Sequence, residues 1–173
     1  MEFTQGVRFD SLGLSPEIMR AIAHRNLEVS TPVQAGCIPP MMAWQDVIAK
    51  APTGTGKTFA YGIPIVEHID PEDESVQAVI LAPTRELAIQ ITGELRDIAA
   101  FKPGVRSVCL YGGQPIGKQI DTLKKRPQIV VATPGRLSDH MKRRTVKVDA
   151  VQTVVLDEAD RMLDMGFIHD VTR

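Results

Sequence analysis

The stretch that most constrains this chain is Ala51-Pro52-Thr53-Gly54-Thr55-Gly56-Lys57-Thr58, together with what flanks it. Asp46-Val47-Ile48-Ala49 reads as a short, mostly apolar strand, and Phe59 to Ile69 as a helix. A strand, a Gly-rich turn and a helix opening on Lys-Thr form the setting of a phosphate-binding loop. Gly54 and Gly56 can adopt positive φ and let the backbone approach an anion. The N–H groups of the loop and of the first helical turn then point at phosphate, where the helix dipole also favours negative charge. Lys57 supplies a mobile cation for the β- and γ-phosphates, and the Thr58 hydroxyl is a ligand for Mg2+. Ala51 stands where the strict motif has Gly, which makes this the A-x-x-G-x-G-K-T variant.

The rest of the chain alternates between two periodicities. Ser15-Pro16 and Thr31-Pro32 are helix starts, with a hydroxyl residue as N-cap and Pro in the first helical position. The second of these helices is expected to end near Pro39-Pro40, and Pro64 to kink or end the helix after the phosphate loop. Strands are predicted over 76–82, 107–111, 128–132 and 153–156. Helices are predicted over 84–101, 116–125 and from Thr133-Pro134 to about Arg143. Met1 to Phe9 reads as a lead segment. Apolar strands alternating with amphipathic helices predict an α/β fold, a parallel sheet with helices on both faces. In such sheets ligands gather at the carboxyl ends of the strands. Each notable motif here directly follows a strand, so all are expected on one edge.

Bulk properties narrow the function classes. A chain of 173 residues fits one domain with a hydrophobic core. Its net charge of -1 gives no strongly basic field, so any polyanion site must be a local patch. Cys37 and Cys109 lie far apart with no C-x-x-C, which excludes a disulfide framework or a zinc site by spacing and suits a reducing compartment. Met1-Glu2-Phe3-Thr4 lacks a signal-peptide pattern, and no apolar run has the length of a membrane span. A cytoplasmic location and no membrane partner are expected. The histidines lack metal-ligand spacing, and Trp44 is expected to pack rather than bind.

Val154-Val155-Leu156-Asp157-Glu158 delivers two adjacent carboxylates to the end of an apolar strand. An NTPase needs one acid to hold Mg2+ and a second to orient the attacking water, roles that suit Asp157 and Glu158. With these residues in place, the chain resembles the N-terminal RecA-like domain of a DEAD-box ATP-dependent RNA helicase, a family whose name is spelled by residues 157–160. Pro83-Thr84-Arg85-Glu86-Leu87-Ala88 resembles motif Ia, Gly112-Gly113 the glycine doublet, Thr133-Pro134-Gly135-Arg136 motif Ib, and Asp157 to Phe167 motif II.

The resemblance implies a P-loop NTPase with ATP and Mg2+ as cofactors. Thr31, Pro32 and Gln34 correspond to the Q motif that reads adenine, and Phe9 to the upstream aromatic that stacks on the base, with a plain core residue as the alternative for Phe9. Ser30 stands where the family usually has Pro, and Asn26-Leu27 where it has Gly-aromatic. Nucleotide contacts are thereby implied for Phe9, Thr31, Gln34, Thr53, Gly54, Thr55, Gly56, Lys57 and Thr58. Thr58 and Asp157 would hold the metal; Lys57, Asp157 and Glu158 would be catalytic. RNA sugar–phosphate contacts are implied for Arg85, Gly113, Thr133, Gly135 and Arg136, and interdomain coupling for Asp160. Such contacts carry no base sequence. Met162, Leu163 and Met165 read as the buried side of a helix after motif II.

The resemblance divides the chain into a lead and first helix over 1–30 and the RecA-like domain over 31–173. Two family features lie outside it: the Ser-Ala-Thr strand after motif II and the second RecA-like domain, which supplies arginines to the transferring phosphoryl group and half the RNA grip. The sheet is therefore expected to be truncated after the motif II strand. This chain alone is expected to bind adenine nucleotide without unwinding RNA. The alternatives are a nucleotide-gated RNA clamp or scaffold, and a DNA-directed P-loop NTPase.

Overall fold

A computed structural model describes residues 7–47 and 56–160. Positions 1–6, 48–55 and 161–173, the last with Met162, Leu163 and Met165, lie outside the described residues, as does the second half of the strand expected over 46–49. Two compact units are formed: Met1–Ile69 with Glu94–Pro103, and Asp70–Gly93 with Gly104–Arg173.

In the first unit, helix α1 (Pro16–His24) starts where Ser15 and Pro16 predict. The Ser15 hydroxyl accepts from Ile18 N and donates to Glu67, so the cap also ties α1 to a later helix. Helix α2 (Pro32–Met42) is capped by Thr31, and helix α3 (Lys57–His68) opens from Gly56, whose φ is 78°. Val33, Cys37 and Ala60 form a small core between α2 and α3, with Met41 and Val47 packed against it. Gly62 lets α3 approach Leu95 and Ile98 closely, since a Cβ there would collide with both side chains.

The first of these helices stops close to its proline pair, but the second does not end at Pro64. Helix α2 runs through Pro39 and Pro40 to Met42, and α3 runs through Pro64 to His68. A proline removes its own N–H but leaves the following residues free to donate one turn back. Burial of both helices outweighs the lost bonds: Ile38, Ile63 and Ile65 are almost wholly removed from solvent. At the end of α3, Lys102 Nζ donates to the carbonyls of Val66, Glu67 and Ile69.

The second unit holds a parallel sheet of strands β1 (Ala78–Leu81), β2 (Ser107–Leu110), β3 (Ile129–Ala132) and β4 (Thr153–Leu156), in the order β2-β3-β1-β4. Helices α4 (Arg85–Ile98), α5 (Ile116–Leu123) and α6 (Pro134–Lys142) lie between them in sequence. Strands β1 and β3 are buried at every position, so both faces of the central pair are covered. On one face Val79, Leu81, Val108, Leu110, Val130 and Ala132 lie in register and pack with Leu123, Leu137 and Val146. Each of these Val and Leu side chains contributes about 1.5–3 kcal/mol on burial. Strand β4 is the outermost on its side among the described strands, and Val154 is 61% exposed.

Register fixes the functional edge. Leu81 pairs with both Ala132 and Leu156, and Leu110 pairs with Ala132. One residue further on, Ala82 N donates to Ala132 O, Thr133 N to Leu110 O and Asp157 N to Leu81 O. Tyr111, Ala82, Thr133 and Asp157 therefore form one row at the carboxyl ends of the strands, as the sequence predicts for this sheet.

Candidate functional site

In the first unit, Thr31 and Gln34 cap α2 reciprocally. Thr31 Oγ1 accepts from Gln34 N at 3.3 Å, and Gln34 Oε1 accepts from Thr31 N at 2.9 Å. This is a capping box, which satisfies two orphan donors of the helix end. The same Gln34 side chain reaches outward, its Nε2 donating to Gly56 O at 3.2 Å. Its amide keeps one N–H and one acceptor lone pair beyond these contacts. A Cβ on Gly56 would run into Gln34 Nε2. Gly56 is thus required twice, by its left-handed φ and by the amide packed on it.

Lys57 and Thr58 form the first turn of α3, with Thr58 8% exposed. Thr53, Gly54 and Thr55 lie outside the described residues. Phe9 is 1% exposed, at the start of a short 3-10 turn, and its N–H donates to Glu28 O. Ser30, the departure from the family pattern, bonds Val7 in both directions: Ser30 N and Oγ donate to Val7 O, and Val7 N donates to Ser30 Oγ. Trp44 packs, but on one face only. One face stacks on the His68 ring at 3.7 Å while the residue is 54% exposed, with a left-handed φ of 61°.

In the second unit, Asp157 follows β4 and is buried, and Glu158 takes a left-handed φ of 51°. That backbone costs a non-glycine residue about 1–2 kcal/mol and turns the chain sharply between the two carboxylates. Asp160 is exposed. Arg85 opens α4, where the Thr84 hydroxyl accepts from Leu87 N. Its guanidinium lies over the Tyr111 ring, 5.1 Å from the centroid, and Nη1 lies 3.7 Å from where a Cβ on Gly113 would stand. Gly113 has a φ of 92°. Arg85, Tyr111 and the glycine doublet are therefore neighbours.

Thr133 is the N-cap of α6, but its hydroxyl makes no cap bond and so is free of that task. Pro134 takes the first helical position, and Gly135 is exposed with open space around its α-carbon. Arg136 is only 15% exposed: Nη1 donates to Gln114 O at 3.1 Å and to Gln119 Oε1 at 3.3 Å. Backbone N–H groups, a hydroxyl, exposed Gly and oriented guanidinium groups are the donors that suit phosphodiester oxygens.

Sequence reasoning missed Gln119 and His140. Both are buried, and His140 Nε2 lies 2.9 Å from Gln119 Oε1. Burial, with Arg136 and Arg143 nearby, pushes the His140 pKa below its ordinary value, against a smaller upward pull from Asp139. Among the described residues no group of three or more acidic, His or Cys side chains forms a metal cluster, and no helix is long and apolar enough to cross a membrane.

Residues 31–173 match the DEAD/DEAH box helicase family. The chain is 53% identical over 165 residues to the DEAD-box ATP-dependent RNA helicase CshA of Bacillus licheniformis, covering 95% of this chain and 34% of that protein. It is 54% identical over 163 residues to the CshA helicase of Geobacillus kaustophilus, covering 94% and 35%. The crystal structure of a DEAD box protein from the hyperthermophile Methanococcus jannaschii matches with a TM-score of 0.91 at 39% identity, covering 98% of this chain and 46% of that one. The chain thus spans about a third of the length of these curated relatives.

Proposed function

The chain belongs to the DEAD/DEAH box helicase family and has its RecA-like fold, and on that footing we propose that it is the adenine-nucleotide-binding first domain of an ATP-dependent RNA helicase. The observation that carries this proposal is the bond from Gln34 Nε2 to Gly56 O. It puts the side chain assigned to adenine against the turn that opens the phosphate-binding helix. The remaining N–H and lone pair of Gln34 form the donor–acceptor pair that an adenine edge matches.

Lys57 neutralises charge on the β- and γ-phosphates, and Glu158 orients the attacking water. The Thr58 hydroxyl and Asp157 carboxylate are hard oxygen donors, the chemistry that Mg2+ takes, and both belong to buried residues. These two would hold the ion, which when bound offsets phosphate charge. Arg85, Gly113, Thr133, Gly135 and Arg136 take the RNA backbone, and Asp160 couples to a second RecA-like domain. The outer flank of β4 is the place for the Ser-Ala-Thr strand. Cys37 and Cys109, neither of them in a disulfide, accord with a reducing, cytoplasmic setting. Without the second domain's arginines, a term of about 10³–10⁵ in rate is missing. The isolated chain therefore binds nucleotide and does not unwind.

Titration with ADP and GDP in the presence of Mg2+ tests this. Tighter binding of ADP, lost in Lys57→Ala and made indifferent to base in Gln34→Ala, is expected. Equal affinity for the two nucleotides in the unaltered chain would refute the adenine assignment.

A further inference from the structure

Gln119 sits on α5, is 2% exposed, and uses its full hydrogen-bonding capacity inside the second unit. Its Oε1 accepts from Arg136 Nη1 at 3.3 Å and from His140 Nε2 at 2.9 Å. Its Nε2 donates to Tyr111 O at 2.8 Å and to Gln114 Oε1 at 2.9 Å. Two of these partners leave no choice of orientation. Tyr111 O only accepts and Arg136 Nη1 only donates, so the amide cannot be reversed. His140 must then donate from Nε2, and its Nδ1 lies 2.8 Å from Thr145 Oγ1.

We propose that Gln119 is a positioning residue for RNA, holding the turn after the glycine doublet and Arg136 in one fixed arrangement. This rests on the assignment of these two elements to the RNA backbone. The turn follows β2 and Arg136 follows β3, so no local sequence signal links them. They meet at one buried amide from α5, and Arg136 Nη1 closes the loop by donating to Gln114 O as well. With Nη1 turned inward, the plane of the guanidinium is set. Among the described residues its Nη2 has no acceptor, and it is left for a phosphate oxygen. Gln119 is too buried to touch RNA and acts through its partners. A guanidinium fork and a Gly-rich turn already in their binding geometry lose little freedom on meeting the ligand.

The test uses the 173-residue chain, a labelled oligouridylate, and the variants Gln119→Met, Gln119→Glu, Arg136→Ala and Gln119→Met/Arg136→Ala. Thermal melts establish which variants fold. Affinity is read across a salt series. Arg136→Ala is expected to lower the salt slope by about one. Gln119→Met should weaken binding about three- to thirtyfold with a similar drop in slope, and the double variant should add little to Arg136→Ala. Gln119→Glu keeps the acceptors for Arg136 and His140 but loses both donors to the turn, so it should fall between; it decides the matter if Gln119→Met does not fold. Unchanged affinity and slope in folded Gln119 variants, with Arg136→Ala impaired, would overturn the positioning role and leave the RNA assignment standing. Full additivity in the double variant would overturn it too. No effect of Arg136→Ala would overturn the RNA assignment of that residue and the proposal with it.

Discussion

Gln34 Nε2 lies 3.2 Å from Gly56 O, and the same side chain receives Thr31 N at its other end. One amide therefore joins the start of α2 to the start of α3, the two helix ends at which the sequence concentrates its nucleotide motifs.

Gly56→Ala is expected to destabilise the chain by about 1–3 kcal/mol, since the left-handed φ is strained for alanine and the new methyl meets Gln34. Gln34→Ala removes the obstructing amide. Urea unfolding of both single variants and the double should show non-additivity, the double variant being more stable than the sum predicts. Strict additivity would mean that the amide does not press on Gly56.

Ser30→Ala should cost about 1 kcal/mol through the lost hydroxyl bonds to Val7. Ser30→Pro, which restores the usual family residue, also deletes the N–H that donates to Val7 O and should cost more. Denaturant midpoints give the order. A stabilised Ser30→Pro would show that the Val7 contacts contribute nothing.

His140 is buried and neutral, with a pKa below 6.5 in the folded chain. The unfolded chain then binds the extra proton first as pH falls. Stability is full above about 6.5, declines below it, and stops declining through this group once the folded pKa is passed. Burial is the main cause of the shift; Arg136 and Arg143 add to it and Asp139 opposes it. Melting temperatures from pH about 7.5 down to about 5 should fall less steeply in His140→Asn than in the unaltered chain. Equal slopes would place the titration elsewhere.

Tyr111→Leu keeps an apolar side chain but removes the ring under Arg85. A cation–π contact at an exposed site is worth about 0.5–1 kcal/mol, so oligouridylate affinity should drop about two- to fivefold. In an Arg85→Ala background the same substitution should have no further effect. A persisting effect there would mean that Tyr111 touches RNA itself.

What could be read in advance was whatever depends on neighbours in sequence. Ser15-Pro16 and Thr31-Pro32-Val33-Gln34 carry their caps within three residues, and both helices begin there. The strand before Asp157 was legible for the same reason, as a run of apolar residues ending in acids. Pro64 does not end α3 because local bond loss is weighed against burial that only the folded chain supplies. Gln119 and His140 are 21 positions apart, and an isolated polar residue carries no sign of a distant partner. Trp44 does pack, but its stacking partner, His68, stands at the far end of α3 and is not legible from neighbours in sequence.

The common row of Tyr111, Ala82, Thr133 and Asp157 makes length changes unequal along the chain. Crossovers can gain or lose residues, because surface connections absorb them at small entropic cost. A single residue added inside β1, β2, β3 or β4 would move its motif about 3.3 Å along the sheet and turn alternate side chains to the opposite face. Deletion and insertion scanning should therefore find silent positions around Asp73 or Lys125, and none between Ile129 and Thr133.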